Sequence, residues 1–425
     1  MRLKDISKYV NRGVAPNYAE AEAELVAVSQ KCVIGSGQIN LALGRPMEDH
    51  GEASTDARLV PGDIIVNSTG TGTLGRVGLV ELQNMDDSPI PIADGHVTTV
   101  RVDETKVLPE FMNYLLGTDT FSDLANECLA VGSTNQMELG RESLRTLGFR
   151  LPDISEQRRI VSFLQDSVRR IDEMVFEQQH LVALLWERRS AAAFDAVTGR
   201  LEPGPRTSGV TWVDSIPASW KAVKLTHKAR LGSGHTPARN RPELWIDCTI
   251  PWITTGEVSQ VRSDEKEVIT ETRECVSAIG IEESSAVLHP AGTVVLCRTA
   301  SAGYSAIMGT DMATSQDFAT WTCGPELDQH FLLYCLRAMR KDLLERLAMG
   351  STHQTIYMPD IKSITIPLPS IQQQRQIVAA LQRTFQTLDT TRLELHKQTR
   401  LLRERRQALI TTAVSGQLNL ARNAA

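Results

Sequence analysis

The sequence predicts an α+β protein. It has two mixed α/β domains separated by two long antiparallel coiled-coil helices, and it carries a pseudo-twofold internal repeat. Three observations point there. Residues 156–201 recur 217 positions later at 373–418, and 18 of the 46 aligned positions are identical without a gap. Both copies place apolar residues on alternating steps of three and four, the seam of a coiled coil. The stretches preceding the two copies repeat the same order of elements. A period of 217 residues is too long for a solenoid, whose units run roughly 20–50 residues, so the chain is a duplicated half-protein.

Taken in order, residues 1–150 form the first domain. Asn11–Pro16 reads as a loop and Glu24–Val28 as a short strand. Pro61–Val66 is a turn into a strand, followed by the glycine-rich Asn67–Arg76. Val97–Val102 alternates with strand period, Pro109–Leu116 opens an amphipathic helix, and Gly132-Ser-Thr-Asn-Gln136 is a polar loop. Residues 151–201 are the first long helix, with Leu164, Val168, Ile171, Val175, Val182 and Leu185 on its seam. From Gln157 to Val197 is roughly 60 Å of helix at about 1.5 Å per residue. Gly199 stands just past its end, where a left-handed residue is wanted. Asp153 and Glu156 fit the helix dipole at its start better than a nuclease carboxylate pair.

Residues 202–216, rich in Pro, Gly and Ser, read as a linker. The second domain, 217–367, then repeats the first. Pro290–Leu296 mirrors Pro61–Val66 and Arg298–Gly303 mirrors the glycine loop. Phe331–Leu336 mirrors Phe111–Leu116, and Gly350–Gln354 mirrors Gly132–Gln136. Residues 368–425 are the second long helix and tail, with Leu381, Phe385, Leu388, Leu395 and Leu402 on the seam and Gly416 as its terminator. If the helices pair antiparallel, chain start and chain end come close.

The net charge is −6, yet residues 373–406 carry eight Lys/Arg against three Asp/Glu, so a basic face can coexist with an acidic total. Seven scattered cysteines without a Cys-x-x-Cys fit a reducing compartment rather than a disulfide framework or zinc ribbon. No segment approaches the ~18–20 apolar residues of a membrane span, and the expected location is the cytoplasm. Gly70-Thr-Gly-Thr-Leu-Gly-Arg-Val has the glycine spacing of a phosphate loop but lacks its Lys-Ser/Thr. With no Asn-Pro-Pro-Tyr-like tetrapeptide and no histidine set at metal spacing, the chain itself is expected to be catalytically silent and to hold neither metal nor cofactor.

This layout resembles the specificity subunit of a type I restriction–modification system. The second half carries the resemblance most plainly, through Gly209–Trp220, Gly232-Ser-Gly-His-Thr-Pro237, Ile250–Glu257, Gly350-Ser-Thr-His-Gln354 and Pro367–Ile377. The first half resembles a different variety of recognition domain, through Arg12–Tyr18, Ser29–Cys32 and Gly62–Gly70, and lacks the Thr-Pro and Pro-Trp-Ile motifs. The resemblance implies two target-recognition domains that each read half of a split double-stranded DNA sequence. It implies helices that space the half-sites and dock two methyltransferase subunits, through which restriction/translocase subunits join in host defence. S-adenosylmethionine, ATP and Mg are then expected on those partners. The specificity subunit of a type IIB system is a close alternative, and a non-DNA coiled-coil scaffold a more distant one.

Hydrogen-bonding side chains suit base edges, and Lys, Arg, Ser and Thr suit phosphates. The candidate DNA contacts are accordingly Arg12, Lys31, Asn67, Ser68, Thr69, Thr71, Arg76, Asn135 and Gln136 in the first half. In the second they are His235, Thr236, Arg239, Arg298, Thr299, Ser301, Thr352, His353 and Gln354. Glu187-Arg188-Arg189 and Glu404-Arg405-Arg406, retained at one helical station in both copies, are the candidate docking residues for the partner subunits.

Overall fold

The computed structural model describes every residue except 21–22, 36, 50, 71, 82–88, 132–137, 349–353 and 419–425. The chain forms two compact units. One comprises Met1–Gln178 with Lys397–Ala425, the other Gln179–His396. The boundary falls inside both long helices, so each unit is one α/β domain plus a piece of each helix; the helices are not domains of their own.

Both helices form as their caps dictate. The first runs Ile154–Thr198, the second Ile371–Val414. Asp153 Oδ1 accepts the Glu156 amide at 2.9 Å, so this carboxylate is a helix cap. Gly199 (φ 66°) and Gly416 (φ 74°) close the two C-termini in the left-handed region that glycine adopts without strain. A Cβ on Gly199 would also stand 2.5 Å from Pro217.

In the first unit a six-stranded sheet runs in the order Ser7–Arg12, Val97–Val102, Ile64–Asn67, Val77–Leu79, Gly37–Ile39, Val33–Gly35. A three-stranded sheet, Arg45–Met47, Leu25–Val28, Ile90–Ala93, accompanies it. The helix Pro109–Leu116 lays Phe111, Met112 and Leu116 into a core that Ile160, Val161, Leu164 and Val168 share with Ile410, Ala413 and Val414. Each of these buried side chains other than Ala413 contributes about 1.5–3 kcal/mol. Leu3 belongs to that same core and Leu418 packs against it.

The second unit repeats the plan. Its five-stranded sheet runs Ala229–Ser233, Phe318–Cys323, Val294–Cys297, Ser305–Met308, Val268–Ile269. Its first four strands match the first four of the other sheet in order and in antiparallel pairing. A three-stranded sheet, Glu274–Val276, Ile250–Ile253, Ala313–Thr314, lies in the same unit. The helix Gln329–Ala338 buries Phe331 to Leu336 in a core with Val197, Val378, Leu381 and Phe385.

The expected linker is instead a β-hairpin. Pro205–Val210 pairs with Val213–Pro217, with Arg206 opposite Ile216 and Val210 opposite Val213. Val210, Val213 and Ile216 pack with Trp220 against Phe194. Its Pro, Gly and Ser content imitates a linker, while the apolar residues on one face give it something to bury.

Candidate nucleic-acid interface

In the first unit, pairing sets the site. Arg12 ends its strand opposite Thr98, and Asn67 stands opposite Val97, which brings the Arg12 side chain, the Asp94–His96 turn and the glycine loop together. Arg12 Nε donates to the Gly95 carbonyl at 2.5 Å and its Nη1 meets the Glu138 carboxylate at 2.7 Å. That hydrogen bond holds the Glu138 carboxyl below the usual carboxylate range. Thr69 Oγ1 and His96 Nδ1 are 2.9 Å apart. Burial pushes the Asp94 carboxyl up, against the His96 amide hydrogen bond that favours its charge. Arg76 is exposed and donates to the Gly72 carbonyl at 3.0 Å. The exposed Lys31 lies beside Gln30, whose carbonyl accepts from Asn67 Nδ2 at 3.3 Å.

Two expected contacts fail here. Asn67 and Ser68 are buried, and Ser68 Oγ lies 2.5 Å from Thr98 Oγ1, so both hold the loop's base and cannot reach a base edge. Thr71, Asn135 and Gln136 lie outside the described residues.

The second unit assembles the matching set. Arg298 Nε donates to the Gln316 carbonyl at 3.0 Å, and Thr236 Oγ1 to Gln316 Oε1 at 2.7 Å. His235 is exposed, its amide bonded to the Thr314 carbonyl. The loop after Cys297 is bridged at Thr299 to Thr355, and Ala300, at φ 61°, donates its amide to the Gln354 carbonyl. Ser301 is half-buried, its amide folded back on Thr299, whereas the Gln354 residue is exposed. The first unit has the same join, since Thr69 is bridged to Glu138 and Leu139 donates to Ser68. Arg239 stands elsewhere in the unit: its guanidinium binds Glu274 at 2.8 Å and stacks on Trp245 at 4.4 Å. Thr352 and His353 lie outside the described residues.

The first half has no Thr-Pro dipeptide, since Ala15 precedes Pro16, yet it builds the same backbone station. Gly13 and Gly234 occupy one position: a Cβ there would stand 2.1 Å from the Ala93 carbonyl oxygen in one unit and 1.8 Å from that of Thr314 in the other. Val14 and His235 each donate to that same carbonyl at 3.0 Å. Arg12-Gly-Val-Ala-Pro16 is therefore the counterpart of Ser233-Gly-His-Thr-Pro237. Sequence reading missed His96, Glu138 and Gln316; the turns just before Val97–Val102 and Phe318–Cys323 were the signal available for His96 and Gln316.

The Glu-Arg-Arg stations divide. Arg189 is buried, 3.1 Å from Asp389, stacked on Phe385, and donates to the Asp264 carbonyl. Arg406 is buried against Asp172 at 2.9 Å. These two brace the helix pair from inside and are not docking residues, whereas Glu187, Arg188, Glu404 and Arg405 are exposed. Arg189 and Arg406 are 217 residues apart, as are Asp172 and Asp389, so one reciprocal ion pair occurs in each unit and fixes the antiparallel pairing. Among the described residues no group of three or more His, Cys, Asp or Glu side chains could hold a metal ion, and no helix is long and apolar enough to cross a membrane.

Residues 217–399 match the family model of the type I restriction modification DNA specificity domain. Residues 217–399, a little under half of the chain, are thus similar to a type I specificity domain. It is also 26% identical, over 172 residues, to the specificity subunit of the type I restriction enzyme MjaIX of Methanocaldococcus jannaschii. That match covers 40% of this chain and 39% of that subunit, so the chain spans about two-fifths of its curated relative. Among solved structures, a chain from work on complex assembly of the type I R-M system aligns at a TM-score of 0.69 and 19% identity, covering 98% of this chain and 97% of the other. The HsdS subunit of Thermoanaerobacter tengcongensis aligns at 0.53 and 18%, covering 98% and 96%. The fold is thus that of type I specificity subunits over nearly the whole length, while the family model covers the domain that holds His235, Arg298 and Gln354.

Proposed function

We propose that the chain is the non-catalytic DNA-reading subunit of a type I restriction–modification complex. Each unit reads one half of a split target, and the helices dock two methyltransferase subunits, with restriction/translocase subunits joining through them. The carrying observation is the recognition station built twice: an arginine on the turn carbonyl of Gly95 or Gln316, beside a loop bridged to Glu138 or Thr355. S-adenosylmethionine, ATP and Mg belong to the partners, and the setting is the cytoplasm.

Docking in two copies calls for one surface presented twice. Phe176 and Leu393, 217 residues apart, are 67% and 64% exposed, and Leu184 and Leu401, again 217 apart, are 43% and 50% exposed. The Arg406–Asp172 and Gln178–Gln398 contacts set Phe176 level with Leu401 in the first unit. By the Arg189–Asp389 contact, Leu184 is level with Leu393 in the second. Apolar side chains left in water at repeat-matched positions, beside Glu187 and Arg188 or Glu404 and Arg405, suit a protein partner.

Two experiments test these readings. Genomic DNA from cells expressing the chain with its neighbouring methyltransferase should show a split, asymmetric motif with one methylated adenine per half-site. An unmodified genome despite a stable complex removes the reading. Phe176→Glu with Leu401→Glu should reduce the bound methyltransferase from two copies to one, measured by native mass; two retained copies exclude this surface.

A further inference from the structure

Each unit brings an arginine fork to the equivalent place within its own fold, from a different strand. We infer that this fork is a specificity element that reads a guanine at the same step of each half-site, an inference that rests on the DNA-binding function proposed above. In the first unit the edge-strand residue opposite Thr98 is Arg12; in the second the matching residue, opposite Ala319, is Ser233. The residue after Asn67 is Ser68, and the residue after the matching Cys297 is Arg298. Arginine and serine have changed places.

The destination is unchanged. Gly95 and Gln316 each lie two residues before the strand position that pairs with Asn67 or Cys297. Both belong to the same kind of turn, closed by Val97 N to the Asp94 carbonyl at 3.1 Å and by Phe318 N to the Ser315 carbonyl at 3.3 Å. Arg12 Nε and Arg298 Nε donate to the Gly95 and Gln316 carbonyls. The serines turn inward instead, Ser68 to Thr98 and Ser233 Oγ to the Phe318 carbonyl at 2.8 Å. An arginine that merely adds surface charge has no reason to reach the equivalent carbonyl from two strands.

Fixing Nε on a carbonyl orients the planar fork and leaves its terminal nitrogens to the ligand, the geometry that meets guanine O6 and N7 together. Among the described residues neither Nη of Arg298 has a protein partner. In the first unit Arg12 Nη1 rests on the Glu138 carboxylate, whose side chain is 53% exposed, so solvent or DNA can displace it.

The test is methylation, by the complete complex, of a DNA library randomised in both half-sites. The wild-type complex should require guanine at one step of each half-site. Arg298→Ala should lower that preference about tenfold or more in one half-site and leave the other intact, and Arg12→Ala should do the reverse. The exchange variant Ser233→Arg with Arg298→Ser should restore guanine at the same step. Arg298→Lys keeps the cation without the fork, so it should lose the preference while salt-dependent DNA retention persists. An Arg298→Ala or Arg298→Lys complex that still demands guanine overturns the inference, as does an exchange variant that methylates without regaining it. The unaltered half-site reports folding in every variant. A wild-type complex that selects no split motif would instead remove the underlying function.

Discussion

Gln157 and Gln374 show how much a single amide can organise. Gln157 Oε1 accepts the Leu108 amide at 2.9 Å, while its Nε2 donates to the carbonyls of Lys106 and Pro152. Gln374 does the same with Asp328, Glu326 and Pro369. Leu108 and Asp328 are the N-caps of the short helices in each domain, so one buried side chain ties each domain to the start of a long helix. Arg189 and Arg406 hold the other end of the pairing through Asp389 and Asp172. Removing the arginine takes this partner from the part-exposed Asp172 in the first unit and leaves Asp389 with only the longer contact to Arg392, at 3.6 Å, in the second. Arg189→Ala should therefore cost the second unit roughly 2–4 kcal/mol, towards the low end because Asp389 stays partly solvated. Arg406→Ala should cost the first unit a similar amount. Thermal unfolding of both variants checks this, with Glu187→Ala as the exposed control near zero; an Arg189→Ala change within 0.5 kcal/mol of the control would exclude the brace.

At the scale of elements, what the sequence made legible was whatever has a local cause. The long helices follow from three–four apolar spacing, caps and terminal glycines, and the strand Val97–Val102 from alternation and β-branched residues. What it hid depends on contacts far along the chain. The 205–217 hairpin reads as a linker until Phe194 and Trp220 are known to lie beneath it. Arg12-Gly-Val-Ala-Pro16 looks unrelated to Ser233-Gly-His-Thr-Pro237 until Ala93 and Thr314 show why a glycine must stand at the second position of each. Asn67 and Ser68 are polar residues in a loop-like sequence, yet strand pairing with Val97 and the bond to Thr98 draw them inside. Composition reports polarity, and register decides which polar side chains meet solvent.

Over the whole molecule the repeat does two kinds of work, and each can be altered separately. The candidate contact residues differ between the units at most matched positions, as they must if the units read half-sites of different sequence. The helical positions that match (Gln157 and Gln374, Asp172 and Asp389, Arg189 and Arg406) make the same bonds twice, which requires one spacing along both helices. If the helices set the gap, deleting Glu177–Ala183 together with the matched Glu394–Arg400, which spares Phe176, Leu184, Leu393 and Leu401, should alter it without touching either half-site. One heptad is about 10 Å of helix at about 1.5 Å per residue, or about three base pairs at about 3.4 Å each. Sequencing the methylated sites from cells expressing the shortened chain measures the result. A gap changed by a few base pairs between the same two half-sites fits helices that act as a ruler, whereas altered half-sites or an unaltered gap would place the spacing elsewhere in the complex.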